Sequence, residues 1–410
     1  MDQNVILVLM RLDLNDQANP LRAGAGPRGS EAQLLEKGKR YWLLAGVIDP
    51  RQRSTSVPIT GIPLSDDRLD VYNAILEGFQ KVSELFYGDV GFLNGPQTYT
   101  SDQQNRVMGQ IANIGRLIFE LFPDGNPVRV WLTDLLQRSV RPDPVTIITN
   151  DFGIPWFWLK REQFVGRFLC EACPLGLLQL SAVGRPSEVS DKRHDDEYRT
   201  YEALLIKGSS TLQFLDEELS SIKSLLLEEP RRSEPAFKVQ DASTSDQIRD
   251  IISRYQWDGR LSDCSIVHFS GQFSGEHLFL DSQVLRDESL FQVLNGSLLV
   301  LDASSNDRGV GAWTAIEELT SRLINKGALG CVAPVLPVKH DPIVSKILWE
   351  TFYGKLRRGS PTLGQALLEA RLALKDHFRA VDSKNPMWLF YQLIGSAAVQ
   401  LFGEEEERDV

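Results

Sequence analysis

The stretch SLLVLDASSNDRGVG, residues 297–311, decides how the second half of this chain is read. Leu298–Asp302 is apolar at successive positions and ends on a carboxylate; a polar loop, Ser304–Gly311, is expected after it. A strand with one wet face alternates apolar and polar residues. One that is apolar throughout is buried on both faces, as in a parallel sheet covered by helices on each side. GCVAPVL (330–336) repeats the pattern, and Ser265–Phe269 precedes it as a third strand with a Gly-rich turn behind it. Between and after these strands the spacing predicts helices over Ser245–Tyr255, Trp313–Asn325, Asp341–Arg357 and Thr362–His377. Strand–helix alternation of this kind implies an α/β fold with a mostly parallel sheet flanked by helices. Sites in such sheets form at the carboxyl ends of strands, here His268–Gln272 and Asp302–Ser305.

Working outward, residues 1–60 read as strands with loops, Val5–Leu14 and Tyr41–Val47 being the clearest, with a Gly/Pro/Asn-rich loop at Asn19–Gly29. Leu69, Tyr72, Leu76, Phe79, Val82 and Phe86 give a helix over 66–87; a second over 104–122 stops at Pro123. Val145–Thr149 is a short buried strand, and Leu212–Leu227 a helix. Ser187–Glu197 and Glu228–Pro235 are charged loops, the latter a plausible subdomain boundary. No repeat of 20–50 residues is found. The expected organisation is an N-terminal β/helix extension or a subdomain of its own over 1–100, a segment over 101–235 that leads into the core, an α/β core over 236–403 and a disordered acidic tail over 404–410.

Composition narrows the function. With 42% hydrophobic and 24% charged residues in 410, the chain has material for a real core. It has no uncharged apolar run of about 18 residues, so no membrane span is expected. MDQNVILVLMRLDLND lacks a basic n-region and cleavage site, and a cytoplasmic protein is expected. A net charge of −11, with only short basic bursts at Arg51/Arg53, Arg231/Arg232 and Lys355/Arg357/Arg358, argues against nucleic acid as a direct ligand. Cys170 and Cys173 form a CxxC without a second pair or a nearby histidine, so buried core outweighs zinc or redox chemistry. Cys264 and Cys331 sit at the other ends of strands in apolar surroundings and read as core. No GxxxxGK[ST], HExxH or GxSxG occurs, and no cofactor or metal is expected. Asp302 and Asp307 flank a loop where solvation is a plainer reading than cation binding.

Several spaced segments resemble one family. IVHFSGQFSGEHLFL (266–280) is similar to the signature of the CHAT family, caspase-like peptidases, in which a strand runs into H-F-x-x-H-G. SLLVLDASSNDRGVG resembles its second signature, a strand ending in N/S-A-C. LTSRLINKGALGCVAPVLPVKHD (319–341), ILWETFYGKLRRGSPTLGQALLEARLAL (347–374) and NPMWLFYQLIGSAAVQLF (385–402) resemble its later helices and strands. VTIITNDFGIPWFWLKREQFVGRF (145–168) looks like its I-P-W-E segment, with Phe157 in place of Glu. The resemblance spans about residues 100–402.

It implies a caspase-like fold with a thiolate nucleophile at one strand end and a histidine base at the next. The nucleophile's position is Ser304 and the base's is Gln272, followed by Phe273 rather than Gly. A serine hydroxyl without a base is inert, and an amide cannot take its proton. Losing both forfeits nearly all nucleophilic catalysis. No catalytic residue is therefore expected, and His268, Gly271, Asp302 and Ser305 are expected to line the vacated pocket. His268 also has a plainer reading as a satisfied core histidine; His277 and His340 are open as relocated bases. The resemblance implies a non-catalytic pseudopeptidase that binds protein. Its expected partner is a caspase-like peptidase or a prokaryotic defence complex, such as a CRISPR-associated or operon-linked protease system, with a homodimer also open. Two alternatives stand beside it: a cysteine peptidase whose nucleophile is replaced by Ser304, by design or with a relocated base, and a small-ligand or nucleotide sensor.

Overall fold

The computed structural model describes residues 4–15, 34–51, 56–87, 100–138, 143–151, 153–162, 166–179, 200–208, 215–230, 235–257, 264–274, 277–280, 283–285, 296–305, 310–336, 341–358 and 361–402. The loops at Asn19–Gly29 and Ser187–Glu197, His340, Asp307 and the acidic tail lie outside these residues, as do residues 231–234 of the Glu228–Pro235 loop.

Five strands open the chain's sheet: β1 (Val5–Asp13), β2 (Tyr41–Ile48), β3 (Val57–Pro63), β4 (Val145–Thr149) and β5 (Leu175–Gln179). Between β3 and β5 lie helices α1 (Asp66–Tyr87), α2 (Ser101–Glu120), α3 (Pro127–Gln137) and the single turn α4 (Leu169–Ala172). The second half alternates: β6 (Thr200–Lys207), α5 (Leu215–Leu227), β7 (Ala236–Ala242), α6 (Ser245–Trp257), β8 (Cys264–Ser274), the hairpin β9 (His277–Leu280) and β10 (Gln283–Leu285), then β11 (Leu298–Ser305). It ends with α7 (Val310–Asn325), β12 (Gly330–Pro334), α8 (Pro342–Arg357), α9 (Leu363–Ala380) and β13 (Tyr391–Gly395).

All thirteen strands among the described residues belong to one sheet. The run β7-β6-β8-β11-β12 is parallel, which is the 2-1-3-4-5 order of a doubly wound sheet, and β13 is antiparallel to β12. Beyond β13 the sheet continues through β5, β4 and β1, parallel to one another, and closes with the antiparallel β2 and β3. The N-terminal strands are thus extra strands of the same sheet, and the pairing of β6 with β7 crosses residue 235. One continuous core runs under both halves.

Local chemistry explains the element ends. Asp341 accepts from the backbone N–H groups of Ile343 (2.9 Å) and Val344 (3.3 Å), with Pro342 at the first helical position, and Thr362 caps α9 through Gln365 N–H at 3.2 Å. Thr100 and Gln103 form a reciprocal capping box on α2. The sequence reading misses α3, β3, β6 and β7, and it ends two strands early. β8 runs on to Ser274 and β11 to Ser305, where a turn and a loop are expected. The physical reason is pairing: the tail of β8 gains β9 on one side and the tail of β11 on the other, so both tails keep a ladder.

Candidate functional site

Strands β8 and β11 are parallel and in register from Ile266 opposite Leu298 to Phe273 opposite Ser305. Within that ladder Ser304 is the partner of Gln272, and Ala303 of Gly271. The two positions expected to carry nucleophile and base therefore face each other across adjacent strands near their carboxyl ends. By residue type they offer a hydroxyl and an amide. His277 starts β9, opposite Ser274.

Two of the expected pocket residues are enclosed instead of open. His268 and Asp302 have no exposed surface. The Nδ1 of His268 lies 2.7 Å from the Tyr353 hydroxyl, and its Nε2 lies 3.4 Å from Glu218 Oε1. Ser270, two residues on and on the same face of β8, donates to that same oxygen at 2.7 Å. The imidazole stands edge-on to Trp349, ring centroids 5.3 Å apart. Burial, reinforced by Glu218 and Asp302, pushes the Tyr353 phenol well above its ordinary range and keeps it neutral. Asp302 accepts from Trp349 Nε1 at 2.6 Å, the Tyr391 hydroxyl at 2.8 Å and Ser345 Oγ at 3.1 Å. Burial and Asp302 likewise push the Tyr391 phenol upward. A buried carboxylate is costly unless it is fully hydrogen-bonded, and three donors from α8 and β13 meet that need. His268 and Asp302 thus lock α5, α8 and β13 onto the backs of the two strands whose ends carry Gln272 and Ser304.

Gly271 is a close-approach position. A Cβ there would sit 2.7 Å from Gly208 Cα, and Gly208 N–H donates to Ser270 carbonyl at 2.8 Å. On the far side of that contact a cleft of about 530 Å³ opens at the carboxyl ends of β6 and β7. Its walls carry two ion pairs: Lys207 with Asp216 at 2.7 Å, and Lys223 with Asp241. This volume suits a peptide side chain or a small ligand. The cleft adjoins the switch point between β6 and β8, where doubly wound sheets bind ligands. Its residues are missed in the sequence; the only signal is the polar pair Lys207–Gly208 closing the apolar run ALLI.

The remaining candidates are structural. Cys170, Cys173 and Cys331 are buried and carry no disulfide. Burial pushes the Cys170 thiol up to about 12 and raises the other two as well, so none is poised as a thiolate. Trp156 and Trp158 lie wholly in the core, the indole of Trp158 donating to Leu389 carbonyl at 3.1 Å. A buried trio escapes the sequence reading: Arg11 on β1, Tyr72 on α1 and Asp151 after β4 are mutually bonded. Burial works against the Arg11 charge, but Asp151 and Tyr72 outweigh it and hold the guanidinium protonated. Among the described residues, no three His, Cys, Asp or Glu side chains gather as a metal site, and no helix is long and apolar enough to cross a membrane.

No known family model matches this chain, and no curated protein matches it. A solved structure described as "Structure of Protease" is similar over 82% of this chain and 76% of that chain, at 10% identity and a TM-score of 0.39. Similarity at that level does not establish a shared fold. The α/β architecture stands on the strand order and register described above.

Proposed function

We propose that this chain is a caspase-like protein of the CHAT type that has lost its peptidase centre and works by binding another protein. The observation that carries this reading is the cross-strand pairing of Ser304 with Gln272. A thiolate–imidazole pair on those two positions would be neighbours; a hydroxyl and an amide there have no group to accept the nucleophile's proton. The antiparallel β13 after a 2-1-3-4-5 parallel run and the buried supports behind both strand ends fit a scaffold retained after its chemistry is gone. The cleft beside Gly208 then serves as a docking site for a protein segment, with its paired lysines and aspartates meeting groups of either charge. The family context points to a regulatory role in prokaryotic defence or regulated proteolysis, with an active caspase-like peptidase as the natural partner.

The test is hydrolysis of casein and a broad peptide library by the purified chain. No turnover is expected, and none in Ser304→Ala. Cleavage that Ser304→Ala abolishes would overturn the reading in favour of a serine centre with a relocated base. The size of the cleft also favours a small-ligand sensor, although Asp216 and Asp241 already neutralise its lysines and weaken it as an anion site. Thermal stabilisation by a nucleotide, lost in Lys207→Glu, would shift the assignment to that alternative.

A further inference from the structure

Lys160 follows the aromatic turn Trp156–Trp158, and among the described lysines it alone is buried, at 7% exposure. Its backbone is held on two sides: the N–H donates to Gly115 carbonyl at 3.0 Å, and the residue forms an antiparallel bridge with Phe168. Its stem lies against α2, where a Cβ on Gly115 would come 3.0 Å from Lys160 Cβ. The ammonium end has an unusual setting. Nζ lies 4.7 Å from the centre of the Phe168 ring, with no carboxylate in ion-pair reach and no hydrogen-bond acceptor among the described residues. Lys37, Lys39, Lys207, Lys223, Lys355 and Lys375 each reach an Asp or Glu. The neighbouring carboxylate, Glu171 on α4, is engaged elsewhere: one oxygen takes Lys375 from α9, the other the Phe168 N–H at 2.9 Å. Lys375 in turn lies 5.0 Å from the centre of the Trp388 ring, and Phe168 meets Trp388 edge to face at 6.0 Å.

We propose that Lys160 is a nucleophilic amine that binds small aldehydes covalently as imines, at a site separate from the strand ends and independent of the reading given for them. An ammonium carries three N–H donors, and a ring face offsets only part of the cost of leaving them without acceptors. Burial lowers the Lys160 pKa from the ordinary lysine value; Glu171 opposes it, Lys375 adds to it, and Glu162 opposes it weakly. A lysine that is desolvated and set beside a second cation is the arrangement that frees an amine for carbonyl chemistry. The lone pair adds to the carbonyl carbon, a proton passes from nitrogen to the former carbonyl oxygen, and that oxygen leaves as water while the C=N bond forms. One amine and one aldehyde thus give one imine and one water, with no change of oxidation state. The product suits the place. A neutral imine has no N–H to satisfy, and its protonated form keeps a cation over Phe168 with one donor where the ammonium has three. Nζ has no partner and yet is not among the buried atoms sealed from solvent, so a small carbonyl can approach it, while the covered stem excludes a bulky one.

Reductive trapping of the full chain tests this: limiting propionaldehyde with cyanoborohydride across the neutral and alkaline range, each lysine's modification being followed by peptide mass spectrometry. Lys160 is expected to react ahead of the exposed Lys81 and Lys238 at pH 7. Its labelling midpoint should lie at lower pH than theirs, each pH unit of difference being about tenfold in free amine at neutral pH. Lys375→Met, which removes the like charge and releases Glu171, should move that midpoint up. Glu171→Gln, which keeps an acceptor for the Phe168 N–H, should move it down. Lys160→Met should lose the fast site with far-UV circular dichroism unchanged. Lys160 reacting no earlier than Lys238, or only in urea, overturns the proposal, and so does a midpoint that neither neighbouring substitution moves.

Discussion

At the scale of single residues, the centre of this protein is held by what lies behind it. Asp302 is the clearest case, an enclosed carboxylate fed by Trp349, Tyr391 and Ser345. Asp302→Asn keeps the shape but turns one acceptor oxygen into an NH₂ that confronts donors. Hydrogen bonds to a buried charge contribute about 1.5–3 kcal/mol each, and an unsatisfied buried donor costs a similar amount. A loss of about 2–4 kcal/mol in urea-unfolding stability is expected, against less than 0.5 kcal/mol for a typical surface Asp→Asn change. An equal, small effect for both would show that Asp302 reaches water. The sequence made Asp302 visible as a strand-end carboxylate, and Gln272 and Ser304 visible as the types that break a catalytic pair. His268 had its plainer reading as a satisfied core histidine, which its burial matches, but nothing in the pattern turned Asp302 inward. Their partners, Tyr353 and Tyr391, lie more than 80 residues away, and only the tertiary fold brings them together.

Elements were legible where their period was strong and their caps were polar. α1, α8 and α9 announced themselves through helical spacing; Asp341 and Thr362, where two of the expected helices begin, are their caps in the fold. β6 and β7 did not, because TYEALLIK and AFKVQDA mix charge with apolar residues, and parallel pairing supplies what their own pattern lacks. Helix α2 shows packing overriding propensity. Gly109 and Gly115 both sit in its interior, where alanine is worth up to about 1 kcal/mol. A Cβ on Gly109 meets nothing within 4 Å, whereas one on Gly115 would lie 2.2 Å from the Trp158 carbonyl oxygen. That oxygen belongs to the aromatic turn at Trp156–Trp158, and Lys160 N–H donates to Gly115 carbonyl at 3.0 Å, so the backbones are clamped together. Gly109→Ala is expected to raise Tm, and Gly115→Ala to lower stability by about 1–3 kcal/mol through overpacking. Two changes of the same sign would show that the contact between α2 and the turn yields easily.

For the whole molecule, one continuous core under a thirteen-strand sheet encloses groups that titrate on the alkaline side. Burial raises the Cys170 thiol from 9.0 to about 12, raises Cys173 and Cys331 in the same direction, and raises the phenols of Tyr72, Tyr353 and Tyr391. In each case the folded pKa lies above the unfolded one. Below about pH 8.5 both states hold these protons and stability does not depend on them. As pH rises past the unfolded thiol value, the unfolded chain releases protons that the fold retains, and the unfolding free energy falls. Each such group contributes a slope of about 1.4 kcal/mol per pH unit once the unfolded form is ionised. The three thiols alone remove roughly 6 kcal/mol by pH 10.5, which rivals the whole stability of an ordinary domain, and the phenols join from about pH 10. Thermal melts at pH 7, 8, 9.5 and 10.5 should show a plateau followed by a steep alkaline fall, with Cys331→Ala softening the fall by one group's share. A Tm that stays level to pH 10.5 would mean that these side chains already exchange with water in the native state, and that the core under the sheet is looser than its packing indicates.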